Sequence, residues 1–298
     1  MWLLIALPVL TVLLLLRSAY EKRTLSVSSY RVESEKVPEA FDRYRIVFLS
    51  DLHGQTFGKD NEKLISEVSS LSPDLILLGG DMITVPRSGR KEDRVIRDIG
   101  RLEKLLDGLK TLAPVLYADG NHERRFFDEK PLYEAQKERF LSVLDAAGVP
   151  FLLNRQKTVK KGNASITVSA YSLTDEYLRK FRKTPFSSAK IEETLGRKST
   201  DYEILLMHSP LYLHEAGGYG ADLVLSGHFH GGTIRLPYLG GVMTPQYQFF
   251  NPYCKGMFVE NGTTEIVSGG LGTHSINIRL NDLPDIVLIT LHRRKNEH

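Results

Sequence analysis

The segment Ile46-Val47-Phe48-Leu49-Ser50-Asp51-Leu52-His53 carries four apolar residues straight into a serine and a pair of metal-capable side chains. A short, unbroken run of Ile, Val, Phe and Leu with polar residues at its end reads as a strand buried on both faces. The same pattern recurs four times downstream. Residues 75–78 precede Gly79-Gly80-Asp81, and 115–118 precede Asp119-Gly120-Asn121-His122-Glu123. Residues 204–207 precede His208, and 223–225 precede Ser226-Gly227-His228-Phe229-His230. Helix-like stretches at 61–71, 95–109, 132–147 and 211–217 lie between these runs, with Gly148 placed as a helix stop. Such alternation predicts an α/β layered fold whose polar strand ends gather in one crevice.

The last third changes character. Short apolar runs at 233–236, 257–260, 265–268, 276–279 and 286–291 are separated by Gly, Pro and Asn turns, which predicts a second, more antiparallel sheet. Two sheets packed face to face with helices outside would bury both strand sets. Residues 24–43 alternate polar and apolar side chains (Leu25, Val27, Tyr30, Val32) and read as an extended lead-in or first strand.

With 298 residues, 42% of them hydrophobic and 25% charged, the chain can bury one substantial core behind an N-terminal appendage. A net charge of +3 is too small to indicate a nucleic-acid partner, which would require clustered cations. The lone Cys254 allows neither an internal disulfide nor a thiolate zinc site. Trp2 to Leu16 form an apolar run interrupted only by Pro8 and Thr11, and Arg17, Lys22 and Arg23 follow. No basic residue precedes the run and Ser18-Ala19-Tyr20 is a poor cleavage site, so an uncleaved membrane helix is expected rather than a signal peptide. The expected organisation is an anchor at 1–23, a lead-in at 24–43 and a catalytic domain at 44–298. A basic flank after a single span places that domain on the cytoplasmic side of the cell membrane.

Asp51 and His53 can grip one ion from a strand end, because side chains two apart point to the same side. Asp81 follows a glycine pair that permits close backbone approach, and its two oxygens can bridge two metals. Asn121 offers a neutral oxygen, which limits negative charge where an anionic phosphate must also enter. His208, His228 and His230 complete a set of two carboxylates, one amide and four imidazoles, suited to Mn, Fe or Zn.

In order and placement these motifs resemble the calcineurin-like metallophosphoesterase superfamily, and specifically its membrane-anchored bacterial phosphodiesterase branch. Asp-x-His, Gly-Asp, Gly-Asn-His-Glu, His and Gly-His-x-His are all present, and the resemblance covers residues 46 to about 291. It implies a four-layer α/β/β/α sandwich with two mixed sheets and a dinuclear centre. It implies that Asp51, His53, Asp81 and His230 hold one ion while Asp81, Asn121, His208 and His228 hold the other. A water bridging the two ions would attack phosphorus in line. His122 would act as general acid, its alternative being to orient the metal cluster from outside.

Glu123 can tune a neighbouring histidine or pair with an arginine. Arg124 and Arg125 can reach a phosphate through a forked hydrogen bond, or simply lie on a solvated helix face. The cation-rich stretches 87–97 and 178–198 read as solvated loops, the second with the option of a lid or a membrane-facing patch. Gly231-Gly232 mark a tight turn, Tyr247 to Phe250 add aromatic surface near it, and neither His214 nor His274 is expected to bind metal. The expected activity is hydrolysis of a phosphodiester or pyrophosphate of a lipid-linked substrate. A broad nucleotide or small-molecule phosphodiesterase is the enzymatic alternative, and a metal-stabilised membrane scaffold, which has no use for His122, is the non-catalytic one.

Overall fold

The run opening at Ile46 lies in the strand Tyr44–Leu49, with its side chains alternating between two different cores. Ile46 and Phe48 face a second sheet, whereas Val47 and Leu49 face helices. The computed structural model describes residues 2–87, 91–128, 133–198, 200–273 and 277–295, with side chains described from residue 6.

Strands in chain order are β1 (Ser26–Ser34), β2 (Tyr44–Leu49), β3 (Leu75–Leu78), β4 (Val115–Ala118), β5 (Phe151–Leu152), β6 (Arg155–Lys161) and β7 (Ala164–Ala170). They continue with β8 (Glu203–Leu206), β9 (Leu223–Ser226), β10 (Arg235–Leu236), β11 (Gly240–Gly241), β12 (Gly256–Glu260), β13 (Thr263–Val267) and β14 (Asp285–Arg293). The helices are α1 (Trp2–Glu21), α2 (Glu62–Ser70), α3 (Glu92–Leu109), α4 (Asn121–Arg124), α5 (Glu134–Ala147), α6 (Ser188–Leu195) and α7 (Leu213–Tyr219).

The first sheet runs β1-β14-β2-β3-β4-β5 and the second β12-β13-β9-β8-β7-β6. Both are mixed. In the first, β14 lies antiparallel to β2 and parallel to β1, while β2 through β5 are mutually parallel. In the second, the central strands β13, β9, β8 and β7 are parallel, and the edge strands β12 and β6 are antiparallel. One core lies between the sheets; α2, α3 and α5 cover the outer face of the first, and α6 and α7 that of the second. This gives the expected α/β/β/α layering.

The expectation of a separate C-terminal sheet is corrected. Strand β14 enters the first sheet between β1 and β2, and β13 pairs with β9, because the apolar faces of these late strands complete cores already begun upstream. The described part of the expected strand at 276–279 is irregular; residue 276 lies outside the described residues. Likewise α5 is described from Glu134, and residue 132 lies outside. Gly148 ends α5 in the left-handed conformation at φ 67°, as a helix stop requires. Helix α1 forms at the N-terminus and exposes Leu7, Val9, Leu10, Val12, Leu13 and Leu16. No helix, among the described residues, is long and apolar enough to cross a membrane.

Candidate metal centre

Every residue expected to bind metal follows the C-terminal end of a parallel strand, and all seven are buried. Asp51 and His53 follow β2, Asp81 follows β3, Asn121 opens α4 after β4, His208 follows β8, and His228 and His230 follow β9. The sheets are joined here by direct contact. His228 N donates to both oxygens of Asp51 at 3.1 and 3.0 Å, and Gly227 approaches so closely that a Cβ there would lie 2.2 Å from Asp51 Oδ2. Within the first sheet, Gly80 lies against Gly120, where a Cβ would meet the Gly120 nitrogen at 2.2 Å. The glycines on both sides thus let carboxylate and imidazole loops converge.

Three sets of donor atoms result, each with its atoms within 4.8 Å of one another: Asp51, His53 and His230; Asp81, His208 and His228; and His53, Asp81 and His122. The imidazoles are oriented from behind. His208 Nδ1 donates to Gly79 O at 2.8 Å and His230 Nδ1 to Gly272 O at 3.2 Å, which turns each Nε2 toward the centre. His53 Nε2 and His230 Nε2 face each other at 3.1 Å. Burial pushes the Asp51 carboxyl up to about 6. Burial opposes ionisation of Asp81 too, but His208, His122 and His53 outweigh it and hold its carboxyl well below the usual range. The same balance acts on His208: burial disfavours its charge, yet Asp81 and Asp51 raise it to about 10. Two buried carboxylates in contact with facing imidazole nitrogens demand compensating positive charge. Divalent ions fit this donor set.

His122 is close enough to ligate, but its Nδ1 is engaged elsewhere. Val85 N lies 2.9 Å and Val85 O 3.0 Å from it, and Arg125 Nη1 lies at 2.9 Å while also donating to Val85 O. Glu123 neither tunes a histidine nor pairs with an arginine. Its carboxylate accepts from the backbone nitrogens of Asp81, Met82, Ile83 and Gly120 and from the Tyr117 hydroxyl. Arg124 and Arg125 are both half-buried rather than solvated; Arg124 lies near the buried Asp119.

The remaining candidates fall outside the centre. His214 is exposed on α7 and pairs with Glu260 at 2.8 Å. His274 lies outside the described residues, as do 88–90 of the first cation-rich stretch. Within 178–198, Lys180 stacks over Tyr247, Lys183 pairs with Glu215 and Lys190 bonds the Tyr177 hydroxyl, so this stretch is packed against the second sheet's helices rather than loose. Phe249 and Phe250 are exposed. Two buried charged residues went unread in the sequence. Arg279, only 1% exposed, donates to the carbonyls of Gly269, Gly270 and Gly272 and so fixes the loop behind His230. Asp98 is buried on α3 among Val95, Ile99 and Leu102; a carboxylate at a core position of a helical period was the available signal.

Residues 44–232 match the family model described as calcineurin-like phosphoesterase. The chain is 28% identical over 274 residues to the uncharacterised metallophosphoesterase YkuE of Bacillus subtilis, covering 91% of this chain and 87% of that one. It is 25% identical over 252 residues to the phosphodiesterase YaeI of Escherichia coli, covering 83% and 82% respectively. A transmembrane protein with a metallophosphoesterase domain from Danio rerio is 27% identical over 298 residues, covering 97% of this chain and 61% of its own length. With more than half its length matched and the motif residues gathered at one buried centre, the chain belongs to the calcineurin-like phosphoesterases, a family of hydrolases that use divalent metal ions.

Proposed function

We propose that this protein hydrolyses a phosphodiester or pyrophosphate linkage of a lipid-linked substrate at a dinuclear centre. In this reading Asp51, His53, Asp81 and His230 hold one ion, and Asp81, Asn121, His208 and His228 the other. The observation that carries it is the pair of donor sets built around Asp51 and Asp81, joined by contacts between the two sheets. Manganese, iron or zinc, when bound, supplies Lewis-acid activation of the phosphoryl group and of the attacking water. The protein's own part is to hold these donors in register and to manage a proton at His122.

His122 suits the acid role because Val85 presents both a donor and an acceptor to Nδ1. Protonated His122 donates Nδ1–H to Val85 O and keeps that bond after Nε2 gives up its proton; the other neutral tautomer accepts from Val85 N. The ring keeps its orientation in both states, so Nε2 can deliver a proton to the departing oxygen without rearrangement.

The name of the Escherichia coli relative supports a diester substrate, and that of the Danio rerio relative supports a membrane setting. Membrane association through α1, with the catalytic domain on the cytoplasmic side, is part of the proposal. It is supported by the exposed apolar side chains from Leu7 to Leu16 and by Arg17, Lys22 and Arg23 beyond them.

The full chain in detergent is expected to bind close to two transition-metal ions by elemental analysis, to lose turnover of an aryl phosphodiester on chelation, and to regain it with Mn. His122→Ala should retain metal and lower turnover by about 10²–10⁴ on substrates with poor leaving groups, and by less on activated aryl esters. Metal stoichiometry near zero, or equal losses on both substrate classes with loss of metal, would overturn the reading.

A further inference from the structure

We propose that a cationic cavity beside the centre binds a second phosphate of the substrate, which narrows the substrate class to diphosphate esters; this rests on the hydrolase reading above. The cavity, about 360 Å³, is lined by Arg94, Arg97 and Arg101 together with His53. The three arginines follow one another at spacings of three and four along α3 and so share a helix face. Their arrangement is built into the fold. Asp98 lies beneath them, 2% exposed, accepting from Thr84 N at 3.2 Å and placed 3.8 Å from Arg94 Nε and 3.9 Å from Arg101 Nη1. Arg101 also donates to Gly54 O at 2.6 Å, and Gly54 packs so closely on Asp98 that a Cβ would lie 2.2 Å from Oδ1. One buried carboxylate facing three guanidinium groups holds two of them in place and leaves a cationic excess. Planar, fixed guanidinium groups of this kind suit phosphate oxygens.

The cavity adjoins one beside the chemistry and, on its other side, one at the end of α1, sharing lining residues with each. A smaller cavity of about 180 Å³ shares His53 and Arg94 with it and is lined by His122 and Lys91. A phosphoryl group between His53 and His122 therefore has Arg94 beside it, where a directly linked second phosphate can be met. Opposite, a cavity of about 220 Å³ shares Gln55 and Asn277 with the arginine cavity and is lined by Ala19, Lys22 and Arg23 at the end of α1. Lys22 is held there by hydrogen bonds to Asn277 O and Oδ1 at 3.0 and 3.1 Å. Side by side, the three cavities line up cationic side chains from His122 to the base of the apolar helix. A diphosphate laid along them has its cleaved phosphorus at the centre and its second phosphate at the arginines, and a lipid chain leaves past Lys22 and Arg23.

The test uses the metal-loaded full chain and three substrates: bis(p-nitrophenyl) phosphate, ADP-ribose as a soluble diphosphate ester, and CDP-diacylglycerol in phosphatidylcholine vesicles. Arg97→Glu is expected to lower kcat/KM for both diphosphates by about tenfold to a hundredfold more than for the aryl ester, mainly through KM. Lys22→Glu with Arg23→Glu should reduce turnover of the vesicle substrate several-fold more than that of ADP-ribose. In calorimetry, Arg97→Glu should weaken inorganic pyrophosphate at least tenfold more than inorganic phosphate. Equal losses on all three substrates, with equal weakening of both anions, would overturn the second-phosphate site. An equal response of the vesicle substrate and ADP-ribose to the Lys22 and Arg23 changes would overturn the lipid's path to the membrane. Should the loaded protein hydrolyse nothing yet keep an Arg97-dependent preference for pyrophosphate, the hydrolase reading falls and the anion site stands.

Discussion

Glu123 adjoins His122 in the motif, yet its carboxylate gathers four backbone donors from the loops after β3 and β4 and the Tyr117 hydroxyl of β4. That concentration answers a backbone problem. Asp51, His53, Asp81, His228 and His230 all adopt positive φ, between 48° and 65°, a region that costs most residues free energy outside glycine. Such conformations persist only where surrounding contacts over-determine them, and Glu123 supplies those contacts for Asp81. Replacing Glu123 with Ala strands buried N–H groups, so we expect a loss of about 3 kcal/mol or more in urea unfolding, together with reduced metal content by elemental analysis. Glu123→Gln should fall between, since one amide oxygen can accept where two carboxylate oxygens did. Unchanged metal content in a folded Glu123→Ala protein would show that Asp81 is held by other contacts.

Between elements, the loop 269–272 connects the metal centre to α1. Gly272 N donates to Asp51 O at 2.7 Å, Gly272 O accepts from His230, and Arg279 binds three carbonyls of this loop while pairing with Asp282 at 3.0 Å. On its other side, Arg279 N donates to Ser18 Oγ at 3.0 Å and Asp282 N to Glu21 Oε2 at 3.3 Å. The base of α1 is therefore bonded to the segment that orients a metal-facing histidine. Arg279→Met leaves Asp282 and three carbonyls buried without their partner, and should destabilise the protein by about 3–5 kcal/mol. Denaturant unfolding measures this, and a shift under 1 kcal/mol would mean that water replaces the guanidinium.

For the molecule as a whole, pH acts through buried acids away from the centre. Glu265 on β13 is fully buried; Ser226 Oγ donates to its Oε1 at 2.7 Å, and its Oε2 has no hydrogen-bond partner. Burial pushes this carboxyl up to about 8 from the ordinary 4.5. The folded state thus keeps a proton that the unfolded chain releases. The associated stability is fully present below about pH 4.5 and is lost progressively as pH rises to about 8. Glu265→Gln removes the titrating group while preserving an acceptor for Ser226. The variant should gain stability relative to the parent across that window, by an amount on the order of a few kcal/mol at its upper end. Parallel stability–pH curves for the two proteins would exclude an uncharged Glu265 in the fold.

The strand ends were legible in the sequence because burial on both faces leaves a local mark. The runs at 75–78 and 115–118 coincide with β3 and β4, and the polar residues that follow them are the ones brought together. Residue types pointed to a hard and borderline donor set, and the order and placement of the motifs to the family. Pairing partners were not legible. The hairpin of β6 and β7 went unread, since β6 is a polar edge strand with little apolar periodicity, and the late strands were assigned to a sheet of their own when the existing cores recruited them. The roles of Glu123, Asp98 and Arg279 also emerged only from the folded chain. A buried charge is defined by what faces it, and those partners come from distant loops: β3 and β4 for Glu123, Thr84 and Gly54 for Asp98, the glycine loop and α1 for Arg279. Local composition therefore determined which donors exist and at which strand ends. Long-range packing determined how they are held and which charges remain free to meet a substrate.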